Sequence, residues 1–255
     1  MSDDPAKWKC HGVAVKKGTV GVSHDCFGAA SPAGMAFLRG KLYVPFSARR
    51  TARFEKRSIG LAVSGNDPEK IPWTKTEGPI SNLVGEDDDP AVLVIPGDDS
   101  MHLFHRRTGP GGYRIVHSAS KTPFDTDSWP AAKSVTPRPK EVWAQELTGV
   151  FATNGKVHLL VIKHLFAGGM RISHLVSENP SGPFKATDPK QSYLSPKTQP
   201  ATWHLEATFH PLSKMEDPLL FYGPFRKKEN ATDCEDTLFA HSARFICLNP
   251  VTIYI

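Results

Sequence analysis

Three acidic residues stand at the head of apolar segments, where entry into a buried strand would carry them to a common edge of the fold. Asp89 precedes "PAVLVI", Glu146 precedes "LTGVFA", and Glu206 precedes "ATF". Carboxyl groups brought together in this way can donate and accept protons at a bound substrate. We therefore take Asp89, Glu146 and Glu206 as the candidate catalytic residues.

Polar and aromatic residues near the same segment heads are the candidate substrate-binding residues. In the stretch from Trp203 to Glu206, strand alternation sends Trp203 and Leu205 one way and His204 and Glu206 the other. A face that carries His and Glu suits proton transfer or the binding of a polar ligand. The full candidate set is His24, Asp25, Ser31, Trp143, Trp203 and His204.

Several other charged residues have simpler interpretations. In the acidic run from Glu86 to Asp89, we expect a solvated loop with Asp89 alone at a strand start. The histidines inside apolar segments are expected to be packed or surface residues: His102, His105, His117, His158, His164 and His174. No His-x-His or His-Glu-x-x-His spacing indicates a metal site, and we expect neither a metal nor a cofactor.

A repeated pattern indicates the elements that position these residues. Four segments each consist of an apolar strand, a polar turn and a second alternating strand, which is the pattern of a β-hairpin. They read "AGMAFLRGKLYVPFSA", "PAVLVIPGDDSMHLFHRR", "TGVFATNGKVHLLVIKH" and "EATFHPLSKMEDPLLFYGPF". A third strand that ends in Ser or Ala follows each hairpin, and the unit recurs about every fifty to sixty residues, near the length of a propeller blade.

The repeat predicts an all-β fold, a single β-propeller over residues 1–255. The chain has 22 prolines and 20 glycines, which punctuate it too often for long helices. We predict five blades, with four as the alternative, because "HGVAVKKGTVGVS" and "PVTIYI" supply strand material at the two ends. Strands from both termini would then close the ring.

Composition narrows the classes of partner. The formal net charge of +5 is scattered, without a long basic run, so we expect no nucleic-acid partner. No apolar run is long enough to span a bilayer and the start shows no signal peptide, so we expect a soluble protein without a membrane partner. Compartment and oligomeric state stay open. The state of the four cysteines, Cys10, Cys26, Cys234 and Cys247, also stays open. They form disulfides between the chain ends, or they are buried thiols.

The blade motifs resemble those of the five-bladed propellers of the arabinanase, xylosidase and invertase glycoside hydrolases. In these families an Asp-Pro opens the first blade, and here Ser31-Pro32-Ala33-Gly34 stands in that place before "GKLYVPFSA". A later Asp-Pro of the family is matched by Asp89-Pro90, and an invertase-like Glu by Glu146. "SENPSGPFKA" also resembles the family's third-strand ending, and the resemblance covers most of residues 25–225.

The resemblance implies a small-molecule substrate in a central funnel, with Asp89 and Glu146 in the tuning and acid positions. Ser31 falls where the family has its base or nucleophile, and a hydroxyl cannot replace a carboxylate there without its own activating base. We therefore expect an enzyme that has lost hydrolysis and catalyses cyclisation, isomerisation or elimination, as in secondary metabolism. The alternatives are a working glycoside hydrolase that uses Asp25, Asp89 and Glu146, and a carbohydrate-binding, lectin-like propeller with tryptophans such as Trp73, Trp129 and Trp143 stacking on sugars.

Overall fold

The computed structural model describes residues 13–30, 33–50, 57–81, 86–109, 112–137, 142–165, 170–187, 205–209 and 220–224. In this part of the chain the regular structure is β-strand, apart from one 3₁₀ turn at Thr126–Ser128. The expectation of an all-β fold is confirmed. No helix in these ranges is long and apolar enough to cross a membrane.

Three antiparallel sheets follow one another along the chain. The first contains β1 (Gly28–Ala30), β2 (Ala36–Leu38), β3 (Lys41–Arg49), β4 (Arg57–Val63) and β5 (Thr74–Lys75). Its strand order is β1-β3-β4-β5, and β2 also pairs with β3. Strands β1 and β2 therefore lie along one edge of β3, as two pieces of an interrupted innermost strand.

The next two sheets each have four strands in simple sequential order. The second contains β6 (Glu86–Val94), β7 (Met101–Gly109), β8 (Gly112–Ser120) and β9 (Lys133–Ser134). The third contains β10 (Val142–Thr153), β11 (Lys156–Leu165), β12 (Met170–Ser177) and β13 (Lys185–Ala186). A further antiparallel pair follows, β14 (Leu205–Phe209) with β15 (Leu220–Pro224). Up-and-down sheets of this kind are the blades of a propeller.

The sequence repeat is a repeat of hydrogen bonds as well as of strands. In the first sheet Leu61 N–H donates to Thr76 Oγ1 at 3.2 Å, and in the second Ile115 N–H donates to Thr136 Oγ1 at 3.1 Å. Each bond joins a threonine that stands one or two residues after the outermost strand to the third strand of the blade. The predicted serine ends are also present, because the third strand or the residue after it ends on Ser64, Ser120 or Ser177.

Apolar side chains between successive sheets form the core. One cluster lies between the first and second sheets and includes Ile59, Leu61, Val92, Leu103 and Trp129. A second lies between the second and third sheets and includes Leu93, Phe104, Ile115, Leu147, Leu159 and Phe184. Sheets that bury both faces in this way pack as consecutive blades, and the starts of their inner strands lie at one end.

Two local expectations need correction, and an alternative left open by the sequence is decided for one cysteine. The acidic run is no solvated loop, because Glu86–Asp89 opens strand β6 and Asp87 and Asp88 are buried. No strand forms over residues 13–23, although Ala14 accepts a hydrogen bond from Trp73 N–H next to β5. Cys26 is a buried free thiol that donates to the Arg50 carbonyl at 3.4 Å, whereas Cys10, Cys234 and Cys247 lie outside the described residues.

Candidate active site

The inner strands of two consecutive blades carry an acid at the same structural position. In β6, Asp88 pairs with Arg106, and regular pairing resumes at Ala91 after a β-bulge. In β10, pairing resumes at Gly149 after a bulge, and Glu146 stands the same number of residues before that point. Asp88, and not Asp89, is therefore the counterpart of Glu146 in the preceding blade.

The bulge in β6 brings a second acid to the same side. Regular alternation would send Asp88 and Asp89 to opposite faces of the strand. Asp89 instead adopts a positive φ of 50°, which is uncommon for a residue other than glycine and is tolerated best by Asp and Asn. Its Oδ2 lies 2.9 Å from Arg106 Nε. The bulge thus re-aims Asp89 toward the partner of Asp88, as bulges near functional sites often do.

Arg106 is the centre of this arrangement. Its Nη2 donates to Asp88 Oδ2 at 2.5 Å, and its Nη1 lies 3.8 Å from Glu146 Oε1. The guanidinium is buried and lies over the Tyr113 ring, 5.3 Å from its centroid. One cation therefore contacts Asp88 and Asp89 and comes near Glu146, and we call these four residues the acid cluster.

Asp88 is the anchored member of the acid cluster. It accepts a hydrogen bond from Ser47 Oγ in the first blade and forms an ion pair with Arg57 of β4. Arg57 also binds Glu86 through Nε and Nη2, at 3.2 and 3.1 Å. Burial lowers the pKa of the Arg57 guanidinium, and the charge of Glu86 partly offsets that effect. Asp88 thus connects two blades and has its oxygens engaged by protein groups.

Asp89 and Glu146 are the more accessible members. The exposed fraction of the side chain is 17% for Asp89 and 25% for Glu146, against 3% for Asp88. Glu146 Oε1 also lies 3.3 Å from His164 Nε2 on β11. With Glu86 included, four carboxylates surround the guanidinium groups of Arg57 and Arg106, so the site carries excess negative charge.

A second acid–arginine pair lies on the other face of β6. Asp87, fully buried, receives two bonds from Arg107, at 2.7 Å from Nε and 3.0 Å from Nη2. His105 Nδ1 lies 3.6 Å from the same carboxylate, and burial lowers the pKa of His105 to about 4. These residues fasten β6 to β7, and the complete burial of Asp87 and His105 removes both from contact with a substrate.

The predicted residues His24 and Asp25 have contacts of a different kind. Asp25 is buried and forms an ion pair with Lys75. The His24 ring stacks on Phe46 with a centroid distance of 6.2 Å, and burial lowers its pKa while Asp25 partly raises it. A Cβ at Gly60 would lie 2.9 Å from His24 Nε2, so the pair packs closely against the first blade. These contacts lead to β3, β4 and β5 rather than to Arg106.

The remaining predicted residues are placed only in part. Trp143 lies in β10 at an irregularity between Val142 and Ala144. Glu206 lies in β14, which contacts β10, and pairs there with Gly223. Ser31, Trp203 and His204 lie outside the described residues. The described contacts therefore bring Asp89 and Glu146 together, and the roles proposed for the others stay predictions.

Sequence reasoning did not identify Asp88, Arg57, Arg106 or His164 as site residues. A signal for Arg106 was present, because Asp87-Asp88 and Arg106-Arg107 are nearly equidistant from the β6–β7 turn and so face each other across the hairpin. His164 was correctly expected inside a strand, and its diagonal contact with Glu146 follows from the register, because Glu146 pairs with Ile162 and His164 lies two residues further on the same face. No group of three or more His, Cys, Asp or Glu residues in the described ranges is arranged to hold a metal ion.

Comparison with known proteins identifies the fold. The chain matches no protein-family model and no curated protein sequence. Among solved structures it resembles Zg3597, a family 117 glycoside hydrolase of Zobellia galactanivorans, with a TM-score of 0.56 and 15% identity over 83% of this chain and 71% of the other. It also resembles the β-1,2-mannobiose phosphorylase of Listeria innocua, with a TM-score of 0.61 and 16% identity over 79% of this chain and 56% of the other.

A third likeness is to an α-L-arabinofuranosidase of Clostridium thermocellum, with a TM-score of 0.54 and 16% identity over 77% of this chain and 61% of the other. In two of the three comparisons, therefore, the chain spans less than two thirds of the other protein's length. At these identities the likeness defines the fold, which is a β-propeller of the type found in glycoside hydrolases and glycoside phosphorylases. The number of blades stays a prediction.

Proposed function

We propose that this chain cleaves glycosidic bonds by hydrolysis at the acid cluster. Glu146 acts as proton donor to the leaving oxygen, and Asp89 acts as the second carboxylate. The observation that carries the proposal is the meeting of two partly exposed carboxylates from neighbouring blades at one buried guanidinium. The propeller scaffold shared with glycoside hydrolases supports it.

The geometry suits the charge that develops in the reaction. Glycoside cleavage passes through a transition state with the character of an oxocarbenium ion, which excess negative charge stabilises. With Glu146 protonated as the donor, three carboxylates around two guanidinium groups still supply that excess. Since both carboxyl groups approach the same guanidinium, their nearest oxygens lie within about 9 Å, a span that includes the spacings of retaining and of inverting enzymes.

Hydrolysis is supported over phosphorolysis by the same charges. A phosphate nucleophile needs cationic groups with donors directed toward it. The guanidinium nitrogens of Arg57 and Arg106 lie toward Glu86, Asp88 and Asp89, and so are not directed toward a phosphate. A water molecule next to Asp89 is the nucleophile that this arrangement favours.

A second candidate is a non-hydrolytic transformation of a small molecule, such as cyclisation, isomerisation or elimination. The observation in its favour is that Ser47, Arg57 and Arg106 engage both oxygens of Asp88, which leaves that carboxylate poorly placed to activate water. The lectin alternative is weakened, because Trp129 is buried in the core and Trp73 packs beside the cluster of Phe46, Ala48 and Ala62.

The test is turnover of a panel of 4-nitrophenyl glycosides: α-L-arabinofuranoside, β-D-xyloside and β-D-mannoside. We expect Glu146→Gln to lower kcat/KM by about 10²- to 10⁴-fold, because general acid catalysis contributes that much. Glu178→Gln, the same change at an exposed residue after β12, is the control. Absence of turnover by the unmodified protein, together with gain of turnover by Ser31→Asp, would overturn hydrolysis in favour of the second candidate.

A further inference from the structure

We propose that Arg106 is a positioning residue that holds Asp89 in its ionised form and separates its protonation behaviour from that of Glu146. The inference rests on the proposed function, because it assigns different tasks to these two carboxyl groups. It adds a residue from β7, a middle strand of the second blade, to the two inner-strand carboxyl groups that the proposed function uses.

The distances make the effect of Arg106 unequal. Its Nε lies 2.9 Å from Asp89 Oδ2, whereas its Nη1 lies 3.8 Å from Glu146 Oε1. An opposite charge stabilises an ionised carboxylate, and the stabilisation falls with distance. Arg106 therefore favours ionisation of Asp89 more strongly than ionisation of Glu146. A base that stays charged and an acid that can still carry a proton are what glycoside hydrolysis requires.

Arg106 is itself held in place before any substrate arrives. Asp88 accepts from Nη2 at 2.5 Å, and the guanidinium carbon lies over the Tyr113 ring, 5.3 Å from its centroid. Asp88 is fixed in turn by Ser47 and Arg57 of the first blade. Because the group is buried and bonded on several sides, it need not reorganise when charge develops at the substrate.

The three carboxylates around the guanidinium explain why the residue is an arginine. Asp88, Asp89 and Glu146 lie toward three different nitrogens of one planar group. A lysine ammonium supplies the same charge from a single point and cannot match three fixed directions at once. Arg106→Lys should therefore keep part of the electrostatic effect on Asp89 but hold the three carboxylates less well in position.

Other titratable groups lie around Arg57, Arg106 and Glu146 and set the background for any titration. They are Arg57 itself from β4, Glu86 and Asp88 from β6, Tyr113 from β8 and His164 from β11, and Glu206 lies on the adjacent strand β14. Asp88 and Tyr113 contact Arg106 and lose that contact in a variant at this position, whereas Arg57, Glu86 and His164 keep the partners described above.

The first experiment is the pH dependence of kcat/KM on the best 4-nitrophenyl glycoside of the panel. We expect Arg106→Gln to move the acid limb to higher pH by about one unit or more, and to lower kcat more than it changes KM. Arg106→Lys should move the limb less and recover part of kcat. Arg114→Gln, at an exposed arginine of β8, should leave the profile unchanged. A purely structural role for Arg106 would reduce the yield of folded protein without moving the limb.

The second experiment needs no turnover. Asp and Glu carboxyl carbons labelled with ¹³C are titrated by NMR in the unmodified protein and in Arg106→Gln, with Asp89→Asn and Glu146→Gln providing assignments. We expect the midpoint of Asp89 to rise more than that of Glu146 when the guanidinium is removed. If the unmodified protein cleaves no glycoside, the proposed function fails and this titration still decides the inference. Equal midpoints with and without Arg106, or an unmoved acid limb, would overturn it.

A failure of Arg106→Gln to fold would leave Arg106→Lys as the deciding variant. Because a lysine cannot contact the three carboxylates as the guanidinium does, the titration midpoint of Asp89 should then rise, by less than is expected for Arg106→Gln. An unshifted midpoint in Arg106→Lys would overturn the inference in that case.

Discussion

The two ends of the same blades use polar residues in opposite ways. At the starts of the inner strands, the acid cluster gathers charges that stay partly exposed. At the opposite end, near the β6–β7 and β10–β11 turns, each of these two blades carries a pair of buried histidines. The pairs are His102 on β7 with His117 on β8, and His158 on β11 with His174 on β12. We call these the imidazole pairs.

The imidazole pairs are a repeated structural device. The two nitrogens that meet are 2.9 Å apart in the first pair and 2.8 Å apart in the second. In each pair the first histidine lies opposite the residue two positions after the second histidine, so the two rings are diagonal neighbours across the strands. Burial lowers the pKa of His117 and of His158 to about 4, so both are neutral at pH 7. A neutral, bonded imidazole in a core adds packing and one hydrogen bond, whereas a partly exposed carboxylate next to a cation keeps the capacity for chemistry.

The largest expected effect separates the two ends by activity. Asp89→Asn keeps a residue that tolerates the positive φ but removes the charge, and we expect kcat/KM on the glycoside panel to fall by about 10²- to 10⁴-fold. Asp98→Asn makes the same change at the hairpin end, where Asp98 Oδ2 lies 2.9 Å from His102 Nε2, and should alter kcat/KM less than about threefold. Equal losses in the two variants would remove the functional distinction between the ends.

The next effect is on stability against acid. In the folded protein, burial lowers the pKa of His105, His117 and His158 to about 4. In the unfolded chain the same three histidines bind protons near their ordinary pKa of 6.5. The unfolded state therefore binds more protons between these values, and stability is fully present above pH 6.5 and is lost as the pH falls toward 4. The lowered pKa of Asp98, caused mainly by the Ser100 N–H, acts in the same direction.

We expect the free energy of unfolding, measured by guanidinium denaturation, to fall by several kcal/mol between pH 7 and pH 4. A variant with His158→Leu and His174→Leu should flatten that dependence. A pH dependence identical to that of the unmodified protein would show that this pair is not its source.

A smaller effect is expected from breaking a single pair. His174→Ala leaves His158 Nδ1 without its partner in a buried position and opens a cavity. We expect a loss of about 1–3 kcal/mol in the free energy of unfolding, measured with urea. The KM for the best glycoside should not change. A change in KM without loss of stability would place this end of the blade in the substrate site.

The smallest effect concerns the hairpin turns themselves. Arg39-Gly40 and Asn154-Gly155 are two-residue turns with φ values of 50° and 73°, and of 50° and 71°. Asn tolerates that conformation better than Arg does, so Arg39→Asn should raise the free energy of unfolding by about 0.5 kcal/mol. Asn154→Arg in the third blade should lower it by a similar amount. A thermal melt of both variants measures the difference in sign.

The sequence predicted the blades because their signals are local. Each hairpin carries its own turn and alternating strands, so the pattern near Arg39-Gly40 is readable without knowledge of the rest. Asp89 was predicted because Asp-Pro before an apolar run marks a strand start, and Glu146 because it precedes such a run. The structure brings both of these residues to Arg106.

The rest of the site depends on contacts that alternation does not reveal. Asp88 was assigned to a loop, because four consecutive acids are usually solvated, and only pairing with Arg106, Arg57 and Ser47 makes its burial possible. The bulge that turns Asp89 toward the same cation also breaks the alternation rule. Prediction of the site therefore required the register of β6 against β7 and the packing of two blades, which are long-range properties.

The positive φ of Asp89 has a consequence for mutational libraries at that position. A saturation library should divide into two classes by expression level, because Asn and Gly tolerate the backbone conformation and β-branched residues such as Val and Ile do not. A selection for abundance alone would then enrich Asp, Asn and Gly, and a selection for turnover would keep Asp. Comparison of the two selections separates the conformational requirement at this residue from the chemical one, which a single alanine variant would combine.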